Sequence, residues 1–300
     1  MSLKSICSKA IQAWDHFWFA PKDLLGLALM RILLCGTLLG TYIVRQFNME
    51  YYSDQSFIPR NMIIDLFPDG FKPGFIWFFW PDSWASGMHL VLIGLLALLT
   101  VGIGGRWIAW AAWVIDIAFM QRNYAANFGA DVIGSIFLFY LAFTQSCERL
   151  SIVSLWKKKT QFKMSDTVSS FFMRMIQIQI CIIYAYTGFE KLKGGTWWEG
   201  TALWSVFANP QMVAFDLTFF RYLPWLVSMI GFVTILFESY FPVMMLNKNT
   251  RYPWLVMGVG FHVGIAAMMG LWPFSLGMIS TYFLFIEPQD FHKMGLKIAS

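Results

Sequence analysis

Charge is scarce in this chain: 13% of its 300 residues are Asp, Glu, Lys or Arg, against about a quarter in an ordinary soluble domain. With 58% hydrophobic residues and a mean hydropathy of +0.56, it cannot cover a core with a water-facing surface, and an integral membrane protein is expected. Cysteine is sparse too. Cys7, Cys35, Cys147 and Cys181 have no metal-ligand spacing, so neither disulfides nor a metal site is expected. There is no internal repeat, no low-complexity tract and no linker long enough to separate a second domain. Without repeated halves or paired broken helices, a transporter is disfavoured. The start, MSLKSICSKAIQAWDHFWFAPKDL, has no apolar h-region and no small-residue cleavage site, so no removable signal peptide is expected.

What the chain does have is a series of apolar runs. Hydropathy predicts helices at about 24–44, 85–104, 106–121, 130–146, 168–190, 222–246, 253–270 and 273–286, an all-α polytopic transmembrane bundle of about eight helices. A crossing needs about 20 apolar residues, so the third, fourth and eighth are short. The loop CERLSIVSLWKKKTQFKMSD carries Arg149, Lys157, Lys158, Lys159 and Lys163, which the positive-inside rule assigns to the cytoplasm. Counting outward from it, the segment 1–23 and the tail 287–300 are cytoplasmic, flanking a membrane domain over 24–286. The segments 45–84, RNYAANFGA and 191–221 then face outward. The net charge of +5 is spread over loops beside the spans, which offers no face for nucleic acid. The 45–84 segment is too long for a bare loop. Its FIPRNMIIDLFPDGF and FIWFFWPDSW stretches predict short interfacial helices over the outer mouth.

Ionisable groups inside spans cost about 2.5–3.5 kcal/mol each on insertion scales, so they should face protein and have partners. Arg31, Asp116, Asp131, Glu238 and His262 are of this kind. In the fifth helix Gln177, Tyr184 and Lys191 are seven apart and share one face, with Thr187 and Gly188 a turn before the lysine. Two readings of Lys191 stand side by side. Its side chain reaches the headgroups from a helix end, or it is kept dry enough to serve as a neutral base, with Lys193 lowering its pKa. Glu190 points about 100° away around the helix. Trp197, Trp198 and Glu199 read as an interfacial anchor. In MGVGFHVGIAAMMG, Gly258 and Ala266 lie four residues either side of His262, and Gly260/Gly264 form a GxxxG pair on the neighbouring face. Close helix approach is expected there. His262 itself either makes a packing hydrogen bond or handles protons or a ligand.

YYSDQSFIPR after the first helix, RNYAANFGAD before the fourth, GFEKLKGGTWWEG after the fifth and GFHVGIAAMMGLWPFSLGM across the last two together resemble bacterial HTTM-domain proteins. These are membrane relatives of vitamin K-dependent gamma-glutamyl carboxylase. The resemblance implies a bacterial inner-membrane enzyme in which Lys191 and His262 are catalytic and Asn127, Asp131, Tyr184, Trp198 and Glu199 bind substrate. The implied cofactor is a vitamin K or menaquinone-type hydroquinone, with CO2 and O2 if the reaction is carboxylase- or epoxidase-like. Glu190 departs from the carboxylase pattern, which has a lysine there, and RNYAANFGAD lacks its histidine. SdpB-like members of the same family imply an alternative, a membrane factor for maturation or export of a secreted peptide. The expected partners are the bilayer, a small lipophilic molecule and a secreted peptide.

Overall fold

In a computed structural model the chain is all-α, and residues 3–53, 82–122, 127–152 and 164–293, with single positions 59, 62 and 154, are described. Most of the 45–84 segment, the lysine-rich loop at 155–163, positions 123–126 of RNYAANFGAD and the end of the tail lie outside them. Helices occur in each of the eight expected regions. Leu25–Gln46, Thr167–Lys193, Pro224–Met244 and Lys248–Met269 are long and apolar enough to cross a membrane, which makes this a multi-pass membrane protein. The chain folds as two compact units, residues 1–175 with 287–300 and residues 176–286.

The first unit contains α1 (Leu3–Phe19), α2 (Leu25–Gln46), α3 (Ala85–Val101), α4 (Gly105–Arg122), α5 (Gly129–Leu141) and the opening turns of α6 (Thr167–Lys193). Helix α2 packs on α3 and α5, and α4 packs between α3 and α5 in sequence. The core is formed by side chains such as Leu27, Met30, Leu92, Leu96 and Phe137. Helix α3 ends at Gly102, where φ is +82°. A Cβ at this glycine would stand 2.4 Å from Ser151 Cβ and 2.7 Å from Arg31 Nη1, so the turn needs glycine for both its backbone and its space.

Arg31 is fully buried. Its partners are backbone carbonyls rather than a carboxylate: Nη1 donates to Ser146 O and Nη2 to Leu150 O, each at 2.7 Å. The fourth expected helix, 130–146, stops at Leu141, and a 3-10 turn over Ser146–Glu148 follows, presenting a carbonyl that Arg31 satisfies. Asp23 pairs with Arg149 and accepts from Leu25 N at 2.8 Å.

Helix α1 was not expected from hydropathy, because its apolar positions form one side of an amphipathic helix rather than a run. The strand-like pairing that follows it sets Lys22 and Ser165 in reciprocal hydrogen bonds of 2.8 Å. The Lys22 amine is buried without a hydrogen-bond partner. Burial, assisted by Arg174, lowers its pKa to about 7. An unfolded lysine titrates near 10.4, so the unfolded state binds more protons between about 7 and 10.4, and stability rises with pH across that window and is flat below it. Thermal unfolding followed from pH 7 to 10 should show this slope, and Lys22→Met should remove it.

The second unit holds the later turns of α6, α7 (Gly195–Trp198), α8 (Ala202–Phe207), α9 (Pro224–Met244), α10 (Lys248–Met269) and α11 (Trp272–Tyr282). A short α12 (Pro288–Lys293) returns to the first unit. Pro224 opens α9 at a position where its missing N–H costs nothing. Asn247 caps α10 by accepting from Asn249 N at 2.9 Å, which starts this helix five residues before the expected 253. Close approach occurs at Gly188, where a Cβ would lie 2.6 Å from Ser239 N of α9, and at Gly258, where it would lie 2.6 Å from the Tyr282 hydroxyl. Gly260 and Gly264, expected to mediate such an approach, have nothing within 4 Å of a Cβ. Among the described residues no other helix approaches that side closely.

Candidate functional site

The shared face of α6 predicted from a seven-residue spacing is a line of connections to the rest of the second unit. Gln177 Nε2 donates to Leu284 O at 2.6 Å. Tyr184 Oη lies 2.5 Å from both His262 Nε2 and Tyr282 Oη. Lys191 Nζ donates to Glu238 Oε2 at 2.6 Å. One helix face thus reaches α9, α10, α11 and the 3-10 turn after it, and each polar group that would be expensive in lipid has its partner on a neighbouring helix.

The central node is dry. Tyr184 and His262 are 1% exposed, and Tyr184 packs against Phe237 and Phe241 with ring centroids 5.2 and 4.2 Å away. Hydroxyl–imidazole and hydroxyl–hydroxyl bonds in a low-dielectric setting reinforce one another. They also offer a short relay along which a proton could pass. His262 Nδ1 is buried with no hydrogen-bond partner, so the network ends at that nitrogen rather than closing on itself.

The lysine is less enclosed. Its side chain is 23% exposed and that of Glu238 is 7% exposed. Its ammonium nitrogen lies 5.4 Å from the centroid of the Trp197 ring, a cation–π distance. It does not extend freely to the headgroups, nor does Lys193 press upon it. Lys193 instead bonds Glu190 at 2.6 Å in an exposed pair one turn apart. The carboxylate that meets Lys191 comes from Glu238, 47 positions on.

After Lys191 the chain breaks into short elements. Trp198 Nε1 donates to Leu192 O at 2.7 Å, folding α7 back against the end of α6 and leaving much of the indole ring exposed. Phe207, Leu217, Phe220 and Val227 form a small core beneath a cavity of about 440 Å³ whose lining includes Glu199, Trp204, Phe220, Arg221, Pro224 and Ser228. The 3-10 turn Thr218–Tyr222 that supplies Phe220 and Arg221 is held by Asp216, which accepts from Thr218 N at 2.8 Å. Hydrogen bonds from the Thr218 side chain and backbone lower the Asp216 carboxyl below its usual range. Of the expected binding residues, Glu199 lines this cavity and Trp198 stands next to it in sequence.

Asn127 and Asp131 belong to the first unit. Asn127 Nδ2 donates to Met120 O at 2.6 Å, tying the approach to α5 back onto α4. Asp131 does two things at once. It accepts from Phe128 N at 3.0 Å at the start of α5, and it receives Arg45 through both oxygens, at 2.7 and 2.9 Å. Around this pair lie groups that the sequence reading passed over: Tyr42, whose hydroxyl donates to Asp116 at 2.5 Å, and His89, whose Nδ1 is 2.6 Å from Gln46 Oε1. The signal for His89 was present in SGMHLVLIG, an ionisable residue in an apolar run, and the insertion-cost argument applied to Asp116 covers it equally. Among the described residues no group of three or more His, Cys, Asp or Glu side chains is placed to hold a metal ion.

The fold and these paired intramembrane charges define a polytopic helical membrane protein. Its family is shown by sequence: residues 19–289 match the HTTM domain, and the chain belongs to that family. Among curated proteins it is similar to the sporulation-delaying protein SdpB of Bacillus subtilis strain 168, 26% identical over 67% of this chain and 64% of SdpB. It is also similar to the uncharacterized protein YitO of the same organism, 25% identical over 67% of this chain and 66% of YitO. The chain thus spans just under two thirds of the length of either relative. No solved structure matches it.

Proposed function

We propose that this chain is a multi-pass membrane factor that receives a secreted peptide at the outer face of the bacterial inner membrane and serves its maturation or export. In this reading the eight helices α2 to α6 and α9 to α11 all cross or enter the bilayer, both termini are cytoplasmic, and the 191–221 segment faces outward. The relationship to SdpB supports the class. The observation that carries the reading is the cavity formed by that outer segment. It is of a size that admits part of a peptide rather than a folded domain. Trp204, Phe220 and Pro224 offer apolar walls, and Glu199 and Arg221 place one charge of each sign beside them, a combination suited to an apolar side chain flanked by polar backbone.

A photoreactive amino acid at Trp204 or Phe220, in the full-length chain in its native membrane, should give adducts with an exported peptide of the same host. The same probe at Val243, an exposed position near the other end of α9, should not. Secretion of the mature peptide should fall when Phe220→Ala empties one wall. Adducts at Val243 as abundant as those at Trp204 and Phe220, or undiminished secretion, would remove the proposal.

A second reading, a lysine base acting on a hydroquinone-like lipid-soluble substrate, is favoured by the match of Lys191 to the GFEKLKGGTWWEG pattern and by the Tyr184–His262–Tyr282 relay behind it. Lys191 is engaged by Glu238 and does not line the cavity. In this reading Lys191 would have to part from Glu238 before its amine could accept a proton.

A further inference from the structure

Helix α1 has two unlike sides. At about 3.6 residues per turn, Ile6, Ala10, Ile11, Trp14, Phe17 and Trp18 fall within an arc of about 140°. Ser5, Ser8, Lys9, Gln12, Asp15 and His16 fill the opposite side. In a water-soluble protein such an apolar stripe faces a core. Here it faces none among the described residues. Ile6, Ile11, Trp14 and Phe17 are 51, 60, 62 and 41% exposed, and every residue from Ile6 to Phe17 is exposed. Scattered single apolar residues on a surface need no explanation, but a continuous stripe along one helix does.

The place of the helix says what covers that stripe. Its C-terminal end is held against the opening turns of α6: the Phe171 ring centroid lies 5.2 Å from that of Trp18 and 6.2 Å from that of Phe19. Arg174 Nε donates to Phe17 O at 2.9 Å, and its guanidinium carbon stands 4.6 Å from the Phe17 ring centroid, so a cation meets the last carbonyls of α1. Helix α2 begins at Leu25, shortly after Phe19, and the pairing of Lys22 with Ser165 sets the entries of α2 and α6 side by side. Both of these helices are long and apolar enough to cross a membrane. The end of α1 is therefore fixed where two spans enter the bilayer. Acyl chains are present at that level for every molecule, whereas a second copy would leave the stripe bare whenever the chain is alone. Tryptophan and phenylalanine on one side with lysine, histidine and small polar residues on the other is the pattern of a helix lying in the headgroup plane.

We propose that α1 is an interfacial helix that docks on the lipid surface beside the entries of α2 and α6. Its Ile6, Trp14 and Phe17 side is sunk among the acyl chains, and Ser8, Gln12 and Asp15 face water. This surface is independent of the peptide reading, since every residue it uses is in the first unit.

The test uses the full-length chain at one copy per phosphatidylcholine nanodisc, with a single nitroxide amino acid replacing Ile6, Ser8, Gln12 or Trp14 in turn. Electron paramagnetic resonance then reads collision with oxygen, which concentrates among acyl chains, and with a neutral nickel chelate, which stays in water. The labels at Ile6 and Trp14 should favour oxygen and lie about 5–10 Å below the phosphates. Those at Ser8 and Gln12 should favour nickel, so that the oxygen-to-nickel ratio differs several-fold between the two pairs. In the double variant Ile6→Asp with Trp14→Asp, a label at Ala10 should move from oxygen to nickel preference while a label at Gln12 stays unchanged. Equal nickel collision at Trp14 and Gln12 would place the helix in water and overturn the proposal. Shielding of the Trp14 label from both reagents would place protein over the stripe and overturn it too, as would an Ala10 label that keeps its oxygen preference in the double variant.

Discussion

Lys191→Ala should destabilise the second unit by about 3 kcal/mol, because it strands the Glu238 carboxylate inside the membrane domain without its cation. The reverse change is expected to cost less. In Glu238→Gln the lysine that remains is already 23% exposed and has Trp197 nearby, so its amine can turn toward the interface, and about 1 kcal/mol is expected. The double replacement Lys191→Met with Glu238→Leu should recover most of the loss, since apolar side chains of similar volume replace a buried pair with little penalty. Equilibrium unfolding of the four proteins in mixed micelles measures each of these terms. The same set separates the two functional readings. If Lys191 is a base, the double replacement is stable and inactive toward a hydroquinone. If the pair is structural and the outer cavity receives a peptide, the double replacement keeps its peptide adducts at Trp204 and Phe220.

Arg45→Ala should be comparably severe in the first unit, about 3–4 kcal/mol by the same reasoning. Asp131 is 4% exposed and receives Arg45 through both oxygens, so removal of the guanidinium leaves a buried charge held only by Phe128 N. The effect should be local at first. Hydrogen exchange at residues 128–132 should accelerate before the rest of α5 opens, because Asp131 also holds the first turn of that helix. Arg45→Lys should rescue only part of the loss, since an ammonium cannot reproduce the two-point contact or the planar approach to the Tyr42 and Phe128 rings. Equal exchange rates in Arg45→Ala and the parent would show that the pair does not hold α5.

Much of the architecture was legible because it is local. Whether a stretch is long and apolar enough to form a membrane helix is a property of that stretch, and helices stand in all eight regions that hydropathy marked. The polar face of α6 was equally readable: Gln177, Tyr184 and Lys191 repeat every seven residues, and the helical period alone puts them in line. Helix α1 escaped because its apolar residues are dispersed around one side instead of contiguous. Helix α5 ends at Leu141 rather than 146, and the Ser146 carbonyl beyond it is taken by Arg31, which lies more than a hundred positions away.

The sequence by itself determined the class of protein, its helices and which polar residues would need partners. Tertiary structure decided who those partners are. Lys191 meets Glu238 rather than Glu190 or Lys193, Tyr184 meets His262 and Tyr282, Arg31 meets carbonyls, and His89 meets Gln46 while keeping one nitrogen empty. Hydropathy and helical period are set by covalent neighbours, whereas a buried charge is satisfied by whatever group the packing of distant helices brings within about 3 Å, and nothing in the local sequence records that distance.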